Sequence, residues 1–217
     1  MIRSKTSAAE HTSFTTEDGA VIYADLYGAG ERGVVLAHGG QFTKESWQAQ
    51  AEQLAHAGFH VLAFDFRGFG KSHGPGDSNM YSAPMRLDVI AAVDYLRKKG
   101  ARNVAVVGAS FGGSAAVDAC IASSTPQIQR LVLLAAEPSG PADQIKIPVL
   151  LIVARNDTSG SGPRLPRIRS WFEKVPEPKK LTVLDGSAHA QFLFQTDEGE
   201  RVMREILGFL SDVDASE

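Results

Sequence analysis

The sequence predicts an α/β protein: a mostly parallel, twisted sheet with helices on both faces and an antiparallel hairpin at its N-terminal edge. Three observations predict it. Val34–Ala37, Val104–Val107, Leu131–Ala136 and Val149–Ala154 are continuous apolar runs of strand length, as expected of strands covered on both faces. Stretches with helical spacing alternate with them, a pattern that gives right-handed crossovers and parallel pairing. The opening residues instead carry an Asp18-Gly19 turn signal beside a run of strand composition, which reads as a hairpin.

The elements follow in order. Residues 1–12 carry no pattern and are expected to form a loose N-terminus, leaving 13–217 as one domain. Ser13 to Tyr27 makes the hairpin. Val34–Ala37 ends in His38-Gly39-Gly40-Gln41, and Ser46 is the expected N-cap of a helix whose Trp47, Ala51, Leu54 and Ala55 share a face before Gly58. His60–Phe66 is the next strand and leads into Arg67-Gly68-Phe69-Gly70-Lys71-Ser72. Residues 73–83, rich in Gly, Pro, Asp, Ser and Asn, form a loop. Met85, Val89, Val93 and Leu96 mark a helix over 84–99 that Gly100 closes. The run Val104–Val107 passes through Gly108-Ala109-Ser110-Phe111-Gly112 into a helix carrying Ala115-Ala116-Val117. After the two further apolar runs come a modest amphipathic helix over 164–175, a short strand over Leu181–Leu184, and a closing helix over 197–213 with Val202, Ile206 and Leu210 in one stripe.

Composition narrows the function classes. With 217 residues and 43% hydrophobic content, the chain can bury one core without disulfide or metal staples. The net charge of −3 provides no basic field, so neither a nucleic acid nor a membrane surface is an expected partner. Cys120 is the sole cysteine and sits among Ala119 and Ile121, a packing position. No apolar leader and no membrane-length apolar window occur, so a soluble, cytoplasmic protein is expected. No spacing of Cys, His and Glu suggests a metal, and no Gly-x-Gly-x-x-Gly follows a strand, so no cofactor is expected. Oligomeric state leaves no signature.

In a parallel sheet the residues just past each strand bind ligands. Those positions hold His38-Gly39-Gly40, Asp65 and Arg67, Ser110, Asp157 and His189. Gly108-Ala109-Ser110-Phe111-Gly112 has the form of a nucleophile elbow, in which a serine on a sharp turn needs small residues two positions to either side. A serine hydroxyl attacks only when a base takes its proton, an acid holds that base in one tautomer, and donors receive the oxyanion. Glu137, directly after its strand, rivals Asp157 as that acid, while Asp185 reads as a turn residue.

On His38-Gly39-Gly40, Asp65 through Ser72, Gly108 through Gly112, Asp157 and His189, the chain resembles the α/β-hydrolase superfamily, in particular its small dienelactone hydrolase-like and carboxylesterase-like members. The resemblance runs from about Val34 to the C-terminus and includes the chain order serine, acid, histidine. It implies Ser110 as nucleophile, His189 as general base and Asp157 as the acid that orients it, with the backbone N–H groups of Gly40 and Phe111 as oxyanion hole. It also implies that His38 supports the loop behind the site and that Asp65 and Arg67 form a charged pair tying loops together. Relatives that open epoxides or remove halogens need an aspartate where this chain has Ser110. Only residues 137–147 stand where many relatives insert a helical lid, so an open cleft is expected, walled by Gln41, Phe42, Met80, Tyr81, Phe111 and Phe192. The Arg164, Arg167 and Arg169 run reads as a solvated helix face. The expected function is therefore hydrolysis of small to medium acyl esters. Thioesterase, lactonase, acyltransferase or perhydrolase chemistry on the same residues is the alternative, and a non-catalytic ligand receptor of the same fold is a third.

Overall fold

Eight strands form one sheet because five of them have no polar face to offer solvent. In the computed structural model, which describes residues 9–80, 82–122 and 127–212, strands β1 (Glu10–Thr15), β2 (Val21–Tyr27), β3 (Arg32–Ala37), β4 (His60–Phe64), β5 (Asn103–Ala109), β6 (Ile128–Leu134) and β7 (Val149–Ala154) are joined by an edge strand at Lys179–Leu184. A two-residue ribbon, β8 (Thr158–Ser159) with β9 (Gly162–Pro163), precedes that edge strand, which is β10. The helices are α1 (Gln48–His56), α2 (Arg86–Lys98), α3 (Phe111–Ala122), α4 (Arg164–Phe172) and α5 (Gly199–Ser211), with short 3₁₀ segments at Lys44–Trp47, Ala142–Gln144 and Ala190–Gln195.

The strand order is β1-β2-β4-β3-β5-β6-β7-β10, antiparallel at β1-β2-β4 and parallel from there on. Alternate residues of the parallel strands fill two cores. Val35, Val106, Leu133 and Leu151 meet α2, α3 and α4 on one face. Val34, Val107, Val132 and Ile152 meet Trp47 and Leu54, together with Val202 and Ile206 of α5, on the other. The chain leaves β3 for β4 on one side and then returns to place β5 on the other, so the switch point lies between the carboxyl ends of β3 and β5.

Several expectations shift. The hairpin begins at Glu10 and not at Ser13: Glu10 and His11 already pair with Leu26 and Asp25. Ser46 does not cap α1: it lies inside the 3₁₀ turn, and its hydroxyl donates to the Thr43 carbonyl at 2.6 Å. Asp65 and Arg67 do not pair with each other. Asp65 accepts the Lys44 N–H at 2.7 Å, while Arg67 binds Asp88 and Asp18. The connection from β6 to β7 contains one 3₁₀ turn and no lid. Among the described residues no helix is long and apolar enough to cross a membrane.

Candidate active site

Register brings the strand ends together. Ala37 of β3 pairs with Gly108 of β5, so Gly40 and Phe111 each follow three residues later, past the ends of neighbouring strands. The elbow is strained as its sequence requires: Ser110 has φ 48°. A Cβ on Gly108 would lie 2.6 Å from Gly113 Cα, and one on Gly112 would lie 2.5 Å from the Ala37 and His38 carbonyls. Only glycine fits at either place. The two other described non-glycine residues with positive φ, Ala135 (50°) and Ala190 (54°), lie just past β6 and just past His189.

Three side chains meet above β5. Ser110 Oγ lies 2.7 Å from His189 Nε2, and His189 Nδ1 lies 2.7 Å from Asp157 Oδ2. A carboxylate only accepts, so Nδ1 carries the proton and Nε2 is left to accept from the serine hydroxyl. Asp157 is 1% exposed, whereas the His189 imidazole is 28% exposed. The acid is sealed and the base reaches the cleft. Asp157 follows β7, and the β8-β9 ribbon then returns the chain so that the Arg164 N–H donates to the Asp157 carbonyl at 2.9 Å.

Glu137 does not reach His189. It binds Arg164 and also Arg167 Nε, the latter at 2.6 Å. Arg164 Nε lies 3.2 Å from Asp157 Oδ1, an ion-pair contact without hydrogen-bond alignment. The helix face read as solvated therefore has two of its three arginines held by Glu137. Asp185 is exposed and pairs with Arg155 at 3.5 Å.

Behind the cleft His38 is fully buried. Its Nδ1–H donates to the Gly39 carbonyl at 2.9 Å and its Nε2 accepts the Phe66 N–H at 3.2 Å. Burial lowers its pKa to about 4, so the ring is neutral and structural. Burial likewise pushes the Cys120 thiol up to about 11, far from a reactive thiolate.

The cleft encloses about 680 Å³, and Gly40, Gln41, Phe42, Met80, Phe111 and Arg164 are among its walls. Phe192 does not line it: the side chain is 41% exposed and packs edge-on against Phe42 at 5.0 Å. Tyr81 lies outside the described residues. Among those residues, neither the Gly40 nor the Phe111 N–H has a hydrogen-bond acceptor. No group of three or more His, Cys, Asp and Glu side chains among them could hold a metal ion.

A family model described as Alpha/beta hydrolase family matches residues 34–212. The chain belongs to the alpha/beta hydrolase family. Within it, 109 residues are 34% identical to a bifunctional epoxide hydrolase 2 of Sus scrofa, covering 49% of this chain and 19% of that one. A non-heme haloperoxidase of Rhodococcus erythropolis is 32% identical over 127 residues, covering 57% of this chain and 43% of the relative. The aligned stretch thus spans less than half the length of these curated relatives. A Pyrococcus furiosus esterase has the same fold, with a TM-score of 0.78, 21% identity and coverage of 93% of this chain and 89% of its own.

Two residues of this alpha/beta hydrolase site carried no signal that sequence patterns report. Gln191 bridges the loop after β3 to the segment after His189, and Arg164 bridges Asp157 and Glu137. Their partners stand far away in sequence, and no motif spacing links them.

Proposed function

We propose that this protein is a serine hydrolase that cleaves small to medium acyl esters through an acyl-enzyme on Ser110. The observation that carries the reading is the unbroken hydrogen-bonded series Ser110, His189, Asp157 opening onto the cleft. Ser110 Oγ attacks the acyl carbon while its proton passes to His189 Nε2, and the carbonyl π pair moves onto oxygen. That oxyanion is received by the Gly40 and Phe111 N–H groups, the second at the start of α3 where the helix dipole also favours negative charge. Losing one such donor typically costs about 3–4 kcal/mol. Collapse expels the alcohol, which takes the proton from His189. Water, deprotonated by the same nitrogen, then attacks the acyl-serine ester and releases the acid.

The chemistry of the nucleophile argues against epoxide opening despite the likeness to a protein of that name. A serine that opened an epoxide would become an alkyl ether, with no carbonyl for water to attack, and the enzyme would stop after one turnover. An acyl-serine is an ester and turns over. Thioesters and lactones present the same carbonyl. The likeness to the Rhodococcus protein favours a second reading, in which hydrogen peroxide replaces water in the last step and a peracid leaves.

Incubation with a fluorophosphonate followed by mass analysis tests the reading: one adduct on Ser110 is expected, and none in Ser110→Ala. Across a graded panel of acyl esters, thioesters and lactones, Ser110→Ala should lower kcat by about 10⁶. Absence of an adduct under conditions that label ordinary serine esterases overturns the assignment.

A further inference from the structure

Gly39 and Gly40 stand in succession, so side-chain sterics do not orient the peptides between them. Something else must aim the Gly40 N–H into the cleft. In a trans peptide the carbonyl of one residue and the N–H of the next point in opposite directions within one plane. The Gly39 carbonyl accepts from His38 Nδ1–H at 2.9 Å and from the Phe42 N–H at 3.0 Å, which sets the direction of the Gly40 N–H. The preceding peptide is held by the segment after His189: the Gly39 N–H donates to Gln191 Oε1 at 3.1 Å, a buried contact.

Gln191 is 3% exposed and its amide cannot be turned over without loss. The single proton of the Ser46 hydroxyl is committed to the Thr43 carbonyl, so Ser46 Oγ offers only lone pairs. Gln191 Nε2 donates to it at 2.9 Å, leaving Oε1 to face Gly39. Gln191 also lies two residues after His189, in the 3₁₀ turn that His189 precedes.

We propose that Gln191 is a positioning residue that mounts the oxyanion donor Gly40 and the base His189 on one hydrogen-bonded frame. The inference rests on the serine hydrolase reading and adds to it the coupling of two loops 152 residues apart. Gln191 touches no substrate. It acts through the Gly39 peptide, so its removal weakens binding of the tetrahedral oxyanion more than binding of the ground-state ester.

Gln191→Met keeps the length of the side chain and removes the acceptor. At a temperature where circular dichroism shows wild type and variant fully folded, kcat on a short-chain aryl ester should fall about 10- to 100-fold with KM within about threefold. Affinity for a trifluoromethyl ketone, which forms a tetrahedral adduct, should fall in parallel with kcat/KM. The midpoint of the pH profile should stay in place, because the His189–Asp157 contact is untouched. Ser46→Ala keeps the acceptor but frees the amide, and should lose less than about tenfold. Independently of activity, amide exchange at Gly39 should be slow in the wild type and faster in Gln191→Met. An unchanged kcat in the folded variant, a loss confined to KM, or fast exchange at Gly39 in the wild type overturns the proposal. Slow exchange at Gly39 in a wild type that forms no Ser110 adduct instead sinks the hydrolase reading.

Discussion

Two clusters of charged and polar side chains lie under the same rim of the sheet, and they differ in what they leave unused. Arg67 is 0% exposed and spends all five guanidinium N–H donors: Nε on Asp88, one Nη on Asp18 and the Pro75 carbonyl, the other Nη on Asp18 and Asp88. Its backbone N–H binds Asp88 as well. At the cleft the reverse holds. Ser110 and His189 form a series that ends on an open hydroxyl, beside two backbone N–H groups with no acceptor among the described residues. A saturated network can only hold its neighbours in place, whereas an unsaturated one can receive charge that develops in a reaction. Both lie just past strand ends, so position alone does not separate structure from chemistry.

The sharpest way to break this comparison is at the acids. Asp157→Asn leaves the shape but favours the wrong tautomer, and kcat should drop by about 10⁴. Glu137→Gln, which frees Arg164 and Arg167 without touching His189, should change kcat by less than about tenfold. Equal losses in the two variants would return Glu137 to contention. At the other cluster, Arg67→Met strips the partner from buried Asp88 and should cost about 3–5 kcal/mol in chemical denaturation. The kcat of the molecules that remain folded should stay within about threefold, and a larger drop would show that the network reaches the cleft.

A smaller effect separates the histidines. His38 is held at about pKa 4 by burial, below its ordinary 6.5, so between those values the unfolded chain binds the extra proton. Stability should therefore be fully present above pH 6.5 and decline as pH falls toward 4, by about 3 kcal/mol in all. Denaturation midpoints between pH 4 and 8 should show a shallower acid limb in His38→Asn, with the residual slope carried in part by His60, whose pKa burial also lowers. An unchanged limb would mean that His38 is protonated without penalty. The smallest effect is expected at the rim: Phe192→Ala should alter KM by less than about threefold, because the ring packs on Phe42 and not on the cleft.

Much of this was legible in the sequence because burial leaves a periodic trace. The apolar runs of β3, β5, β6 and β7, the two glycines around Ser110 and the strand-end positions of Asp157 and His189 all follow from local composition. Partner choice leaves no such trace. Arg164 and Arg167 look like a solvated helix face because their common partner, Glu137, stands 27 and 30 residues away. Arg67 finds Asp18 across 49 residues, and Gln191 finds Gly39 across 152. The Glu10 start of β1 leaves no trace for a related reason: exposed, polar residues on an edge strand carry no burial signal, and backbone pairing alone defines them.

The left-handed backbone at Ser110, Ala135 and Ala190 carries a cost for the whole molecule. Each such residue outside glycine typically stores about 1–3 kcal/mol, and a domain is typically stable by only about 5–15 kcal/mol. With Ser110 and Ala190 lining the cleft and Ala135 just past the end of β6, a sizeable share of the margin against heat is consumed around the site. Thermal hardening of this protein and preservation of its cleft therefore compete for the same few torsion angles.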